Sequence, residues 1–131
     1  MESIEQAELI FVYNANATVF AVTVDFFHKL LSPDTYQCNL CRVTYGPVTM
    51  KNEWKTYLGS LPFRISFFHK DEFMRLYPDY LGSAFPAVFI RESGKLMSLM
   101  TADEINRIST VEELKAVLSS YLTAYTKPVT N

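Results

Sequence analysis

Ser83-Ala84-Phe85-Pro86-Ala87-Val88-Phe89-Ile90-Arg91-Glu92-Ser93-Gly94-Lys95-Leu96-Met97-Ser98-Leu99 is the stretch from which the rest of the chain is read. Ala87 to Ile90 is a short apolar run with β-formers at its centre, and Leu96 to Met100 is a second. The four polar residues from Arg91 to Gly94 separate them, a β-hairpin signal in which the glycine supplies positive φ. Pro86 stands at the mouth of the first strand, where a missing N–H removes no ladder hydrogen bond. Beyond Ile108 a helix begins with its own start signal. Thr110-Val111-Glu112-Glu113 has the spacing of a capping box, and Leu114, Val117, Leu118, Tyr121 and Leu122 follow on one face.

The chain has 131 residues, the size of one domain. Hydrophobic residues make up 49% and charged ones 20%, which excludes a disordered chain. Net charge is −2 and Lys and Arg form no cluster beyond pairs, so neither nucleic acid nor an anionic membrane finds a basic footprint. The acidic opening Met1-Glu2-Ser3-Ile4-Glu5 lacks a signal-peptide pattern, and no apolar run is long enough to span a bilayer. Two cysteines are too few for a disulfide scaffold. These features predict a soluble, cytoplasmic domain.

Leu9 to Tyr13 is a continuous apolar run of strand length, suited to a strand buried on both faces. Asn14-Ala15-Asn16 ends it, and Asn16 or Thr18 can cap a helix over about 17–31, which Ser32-Pro33-Asp34 stops. Arg42 to Tyr45 reads as a short edge strand. Met50, Trp54, Tyr57, Leu58 and Leu61 form one helical stripe. Phe63 to Phe68 is a strand, and Lys70 to Tyr77 a short helix ending before Pro78. The expected fold is α/β: Leu9–Tyr13 central, Phe63–Phe68 parallel to it, Ala87–Ile90 antiparallel on the other side, and helices on both faces.

A proline-led strand, a tight hairpin and an amphipathic helix in this order resemble the second half of a thioredoxin fold. The resemblance covers most of the chain, is clearest from Phe63 to Tyr125, and extends to small bacterial thioredoxin-like proteins that bring no activity with them. It implies a central mixed four-stranded sheet, with 32–62 as an added loop–helix segment, and a cis bond at Phe85–Pro86. In that family the proline faces a Cys-x-x-Cys at the start of the first helix. Laid on Leu9–Asn14, that pair falls at Thr18 and Ala21, with Val19-Phe20 between, and no cysteine is there. The family's redox chemistry is therefore not carried over. The shape is: a shallow edge where Asn14, Asn16 and Thr18 meet Phe85-Pro86, with His69 beside them. Carboxyl ends of strands in open α/β sheets are where ligands bind.

Cys38-Asn39-Leu40-Cys41 is the sharpest motif outside that edge. Two thiols at this spacing can form an exchangeable disulfide, supply half of a zinc site, or simply pack. His28 and His69 are the only other soft donors and fall at opposite sheet edges, so no metal site is marked and Cys38 and Cys41 are its weak candidates at most. If residues 35–45 climb the sheet in extended form, the pair sits on a surface segment, away from Pro86 and from any helix N-terminus, with ordinary thiol acidity. His69 is either a general base or a hydrogen-bonded surface residue. Tyr36, Tyr45, Tyr77 and Tyr80 lie in or beside loops, where they surround a ligand or serve the core. No Gly-rich phosphate loop or Ser/His/Asp arrangement occurs.

Three functions compete on these residues. The leading one is a non-enzymatic binding module that takes a protein or small-molecule ligand at the Asn14–Thr18/Pro86 edge. The second is a thiol–disulfide oxidoreductase using a relocated Cys38/Cys41 pair. The third is a metal-stabilised structural domain. No cofactor is implied.

Overall fold

The computed structural model describes residues 7–14, 38–46, 49–80 and 83–126. The helix expected over 17–31, with Asn16, Thr18 and His28, lies outside the described residues. Four strands form one mixed sheet: β1 (Glu8–Tyr13), β2 (Arg64–His69), β3 (Ala87–Glu92) and β4 (Lys95–Met100), in the order β2-β1-β3-β4. β1 runs parallel to β2, pairing Leu9 with Ile65 and Tyr13 with His69, and antiparallel to β3, pairing Val12 with Ala87. Every β1 residue is buried, as a strand covered on both faces requires. Each fully buried Leu, Ile, Val or Phe there contributes about 1.5–3 kcal/mol.

The hairpin is tighter than its sequence suggests. Arg91 and Glu92 remain in β3, and the turn is Ser93-Gly94 alone, with φ of 55° and 79°. Two consecutive positive φ values give the turn whose twist matches the flanking strands, and Gly94 adopts one without a Cβ penalty. The Phe85–Pro86 peptide bond is cis.

Helices cover both faces. One apolar cluster joins Leu9, Phe11 and Tyr13 to residues of α1 (Asn39–Thr44), α2 (Asn52–Gly59), α4 (Ala102–Asn106) and α5 (Val111–Thr126). Trp54 of α2 meets Phe11 edge-on at 5.7 Å. On the other face Ile10, Val12, Phe85 and Phe89 surround Phe73 of α3 (Lys70–Leu76). Phe73 stacks on Phe89 at 4.9 Å.

Two local expectations are corrected. Arg42–Tyr45 is no edge strand: Arg42 to Thr44 belong to α1, and Tyr45 alone makes a bridge, to Met50. Arg42 N–H donates to Cys38 C=O at 3.0 Å and Tyr45 N–H to Cys41 C=O at 2.9 Å, four residues back in each case, which is a helical pattern. The second is α4, which the sequence reading left out; Thr101 and Glu104 cap each other's backbone at its start. No helix among the described residues is long and apolar enough to cross a membrane.

Candidate functional site

The carboxyl end of β1 gathers the chemistry. Asn14 is the first residue beyond the strand, and its N–H donates to Cys38 Sγ at 3.3 Å. Cys38 is the N-cap of α1, in extended backbone, and its sulfur also accepts from the Cys41 N–H at 3.3 Å. A capping side chain satisfies a helix donor that would otherwise be orphaned. Here sulfur takes the role usually given to an oxygen. The Cys41 thiol donates to Cys38 Sγ over 2.7 Å, and both side chains are buried thiols.

This overturns the expected position of the pair. From Cys38 onward the chain is helical rather than extended, and the sulfurs lie in the core beneath the end of β1. The reason is local. Leu40, Cys41 and Val43 turn one side of α1 into the sheet, where Leu40 and Cys41 are 1% and 0% exposed. Asn39 then clamps α1 from outside, its amide donating to the C=O groups of Ile105 and Ile108 at 2.8 Å each. Ile105 is in the last turn of α4, where its C=O also accepts from the Ile108 N–H, and Ile108 follows the C-cap Arg107. Thr44 Oγ1 donates back to Leu40 C=O at 2.7 Å.

Ordinary acidity is corrected too. Burial by itself pushes the Cys38 thiol up, because it penalises the thiolate. The Cys41 thiol and the N–H groups of Asn14, Cys41 and Leu40 outweigh it and hold Cys38 below its usual value.

Around the pair, Tyr13 is buried, and burial followed by its contact with Tyr45 raises its phenol. Their rings are 6.2 Å apart, edge-on. His69, level with Tyr13 in the β1–β2 register, approaches that ring at 5.8 Å. Its Nδ1 lies 2.9 Å from Glu72 Oε1, which also accepts from the His69 N–H at 2.8 Å. The N–H bond, then the imidazole, lowers the Glu72 carboxyl. His69 is thereby a cap for α3. Lys70, the next residue, donates from Nζ to Asn14 Oδ1 at 3.3 Å.

Of the residues expected at this edge, Asn14 and His69 are there. Pro86 is one step beyond the Val12–Ala87 pair, level with Tyr13. Phe85 reaches the same edge by its backbone, but its ring packs edge-on against Phe73 at 5.8 Å in the opposite cluster. Cys38 joins the edge instead of standing apart from it. Lys70 was missed as a site residue, and its place beside Asn14 follows only from the strand register. No group of three or more His, Cys, Asp or Glu side chains among the described residues could hold a metal. No family model, curated protein or solved structure matches the chain.

Proposed function

We propose that the protein is a thioredoxin-like thiol–disulfide oxidoreductase in which Cys38 attacks and Cys41 resolves. The observation that carries this reading is the triple use of Cys38 Sγ, which caps α1, accepts from Asn14 and stands 2.7 Å from Cys41 Sγ. N–H donors stabilise a thiolate, and the thiolate is the nucleophile. The Cys38 thiolate attacks one sulfur of a substrate disulfide and expels the other as a thiolate. Cys41, giving up its proton, then attacks Cys38 Sγ in the mixed disulfide and expels the second substrate thiol. Two protein thiols become a disulfide, and one substrate disulfide becomes two thiols.

The case for a non-redox binding module rests on the absence of cysteines at Thr18 and Ala21 beside a retained proline turn. With Cys38 bonded to Asn14, that edge becomes the place where a substrate disulfide would be held. Burial of both sulfurs favours a second reading, in which the pair only packs the core. The two readings part in one experiment. The protein is equilibrated in glutathione buffers of graded potential and its mass is followed, alongside insulin-reduction turnover of wild type, Cys38→Ser and Cys41→Ser. The proposal expects loss of two hydrogens on oxidation, turnover abolished by Cys38→Ser, and a trapped mixed disulfide in Cys41→Ser. Thiols that stay reduced in every buffer, or turnover indifferent to Cys38→Ser, would establish packing.

A further inference from the structure

We propose that Lys70 is a positioning residue for the Cys38 thiolate and acts through Asn14, an inference that rests on Cys38 being the attacking thiol. The last pair of the β1–β2 ladder is Tyr13 with His69, so Asn14 and Lys70 leave the two strands side by side. The Lys70 ammonium donates to the Asn14 side-chain oxygen at 3.3 Å, and the Asn14 backbone N–H donates to Cys38 Sγ at 3.3 Å. Two hydrogen bonds in series thus connect a cation to the sulfur. Beyond the ladder, the direction of the Asn14 N–H depends on what holds that residue, and the bond from α3 is such a hold. Lys70 is half-buried, where a charge is screened less than at the open surface.

Among the described residues, the other titratable groups near Cys38 come from α1 and its C-cap, β1 and β2. They are Cys41 on α1, the phenols of Tyr13 on β1 and Tyr45 after α1, and His69 at the end of β2 against Tyr13. Arg42 on α1 is exposed. Among these, Lys70 is the cation bonded to a residue that itself bonds the sulfur. In sequence, Lys70 is merely an early residue of a short helix.

The test is the pH titration of thiolate absorbance in wild type, Lys70→Met, Lys70→Arg, Asn14→Ala and the Lys70→Met/Asn14→Ala double variant, with Cys38→Ser as the blank. Lys70→Met is expected to raise the Cys38 midpoint by about 0.5–1 pH unit, with Lys70→Arg restoring it. Asn14→Ala is expected to produce the same rise and the double variant no more, since sites in one chain of bonds are not additive. A structural role alone would lower the melting temperature without moving the midpoint. A low wild-type midpoint unmoved by Lys70→Met overturns the role of Lys70 and leaves the oxidoreductase reading standing. Rises that add in the double variant overturn the route through Asn14. A wild-type midpoint at or above about 8.5, that of a free cysteine, overturns the reading beneath both.

Discussion

The two ends of β1 hold polar groups in opposite ways. At the amino end Glu8 is nearly buried, and each neighbouring strand supplies it with a partner. Arg91 of β3, its partner in register, donates from Nε to Oε1 at 3.1 Å and from Nη2 to the same oxygen, while Ser66 of β2 donates to Oε2. Positive charge meets negative charge, and the protonation state is fixed. At the carboxyl end the donors to Cys38 Sγ among the described residues are neutral N–H and S–H groups. Burial penalises the thiolate, and these donors outweigh it and hold the Cys38 thiol below its usual value. One end pairs two charges across the sheet, whereas the other gathers neutral donors on a buried sulfur.

The largest expected effect comes from the middle of the same strand. Val12 is wholly buried between the two ends, against Ala87 and the Phe73 cluster. Val12→Asp places an unpaired charge there, which costs about 3–5 kcal/mol. Both ends should fail together, with loss of cooperative unfolding by circular dichroism. A melt superimposable on wild type would mean that β1 does not organise the sheet. Next comes Asn39→Ala, which removes the side-chain donor to the Ile105 and Ile108 carbonyls and leaves Ile105 with the Ile108 N–H. It is expected to cost about 1–3 kcal/mol in urea unfolding. It should also raise the Cys38 thiol, because α1 is no longer held under Asn14. A stability loss with unchanged thiol titration would separate the clamp from the sulfur's environment.

The sequence showed the sheet well and the dithiol end poorly, for identifiable reasons. Leu9–Tyr13 and Ala87–Ile90 are unbroken apolar runs, and a run of that length has few alternatives to a buried strand. The capping signal at Thr110–Glu113 is there in the structure too, with Glu113 N–H donating to Thr110 Oγ1 at 3.1 Å. The same spacing at Thr101–Glu104 went unread because α4 has only five residues and no period to notice. α1 is six residues long and contains Val43 and Thr44, β-branched types that a helix disfavours. Its cap is a cysteine, absent from the usual list of capping residues. Its anchor, Asn39, bonds carbonyls sixty-six and sixty-nine positions away. Long-range contacts decide that segment, and local pattern reading cannot see them. Nothing local marks Glu8 as a pairing residue, since only the register reveals Arg91 opposite it.

The smallest expected effect tests the charge-paired end by pH. Burial alone would raise the Glu8 carboxyl, but its bonds to Ser66 and Arg91 prevail and hold it below the ordinary value of 4.5. A carboxyl lowered on folding binds its proton more readily in the unfolded chain, so acid favours unfolding. The stability from Glu8 is therefore complete above about pH 4.5 and is lost as pH falls through that value toward the lower folded one. Glu8→Gln keeps the shape and removes the charge. At neutral pH it should cost about 1 kcal/mol, a modest sum because Arg91 is 38% exposed and solvent already screens the pair. Below pH 4.5 the difference from wild type should shrink, since wild type then loses what the variant lacks. Glu72 and Glu104 are lowered as well, by His69 and by Tyr121 first, so the variant should still lose some stability in acid. Chemical unfolding of both proteins across this range measures the gap. A gap that widened toward low pH would reverse the sign and show that Glu8 is not held ionised by Arg91 and Ser66. A Cys38 titration that stayed put in Glu8→Gln would complete the contrast, because the charge removed lies at the far end of the strand from the sulfur.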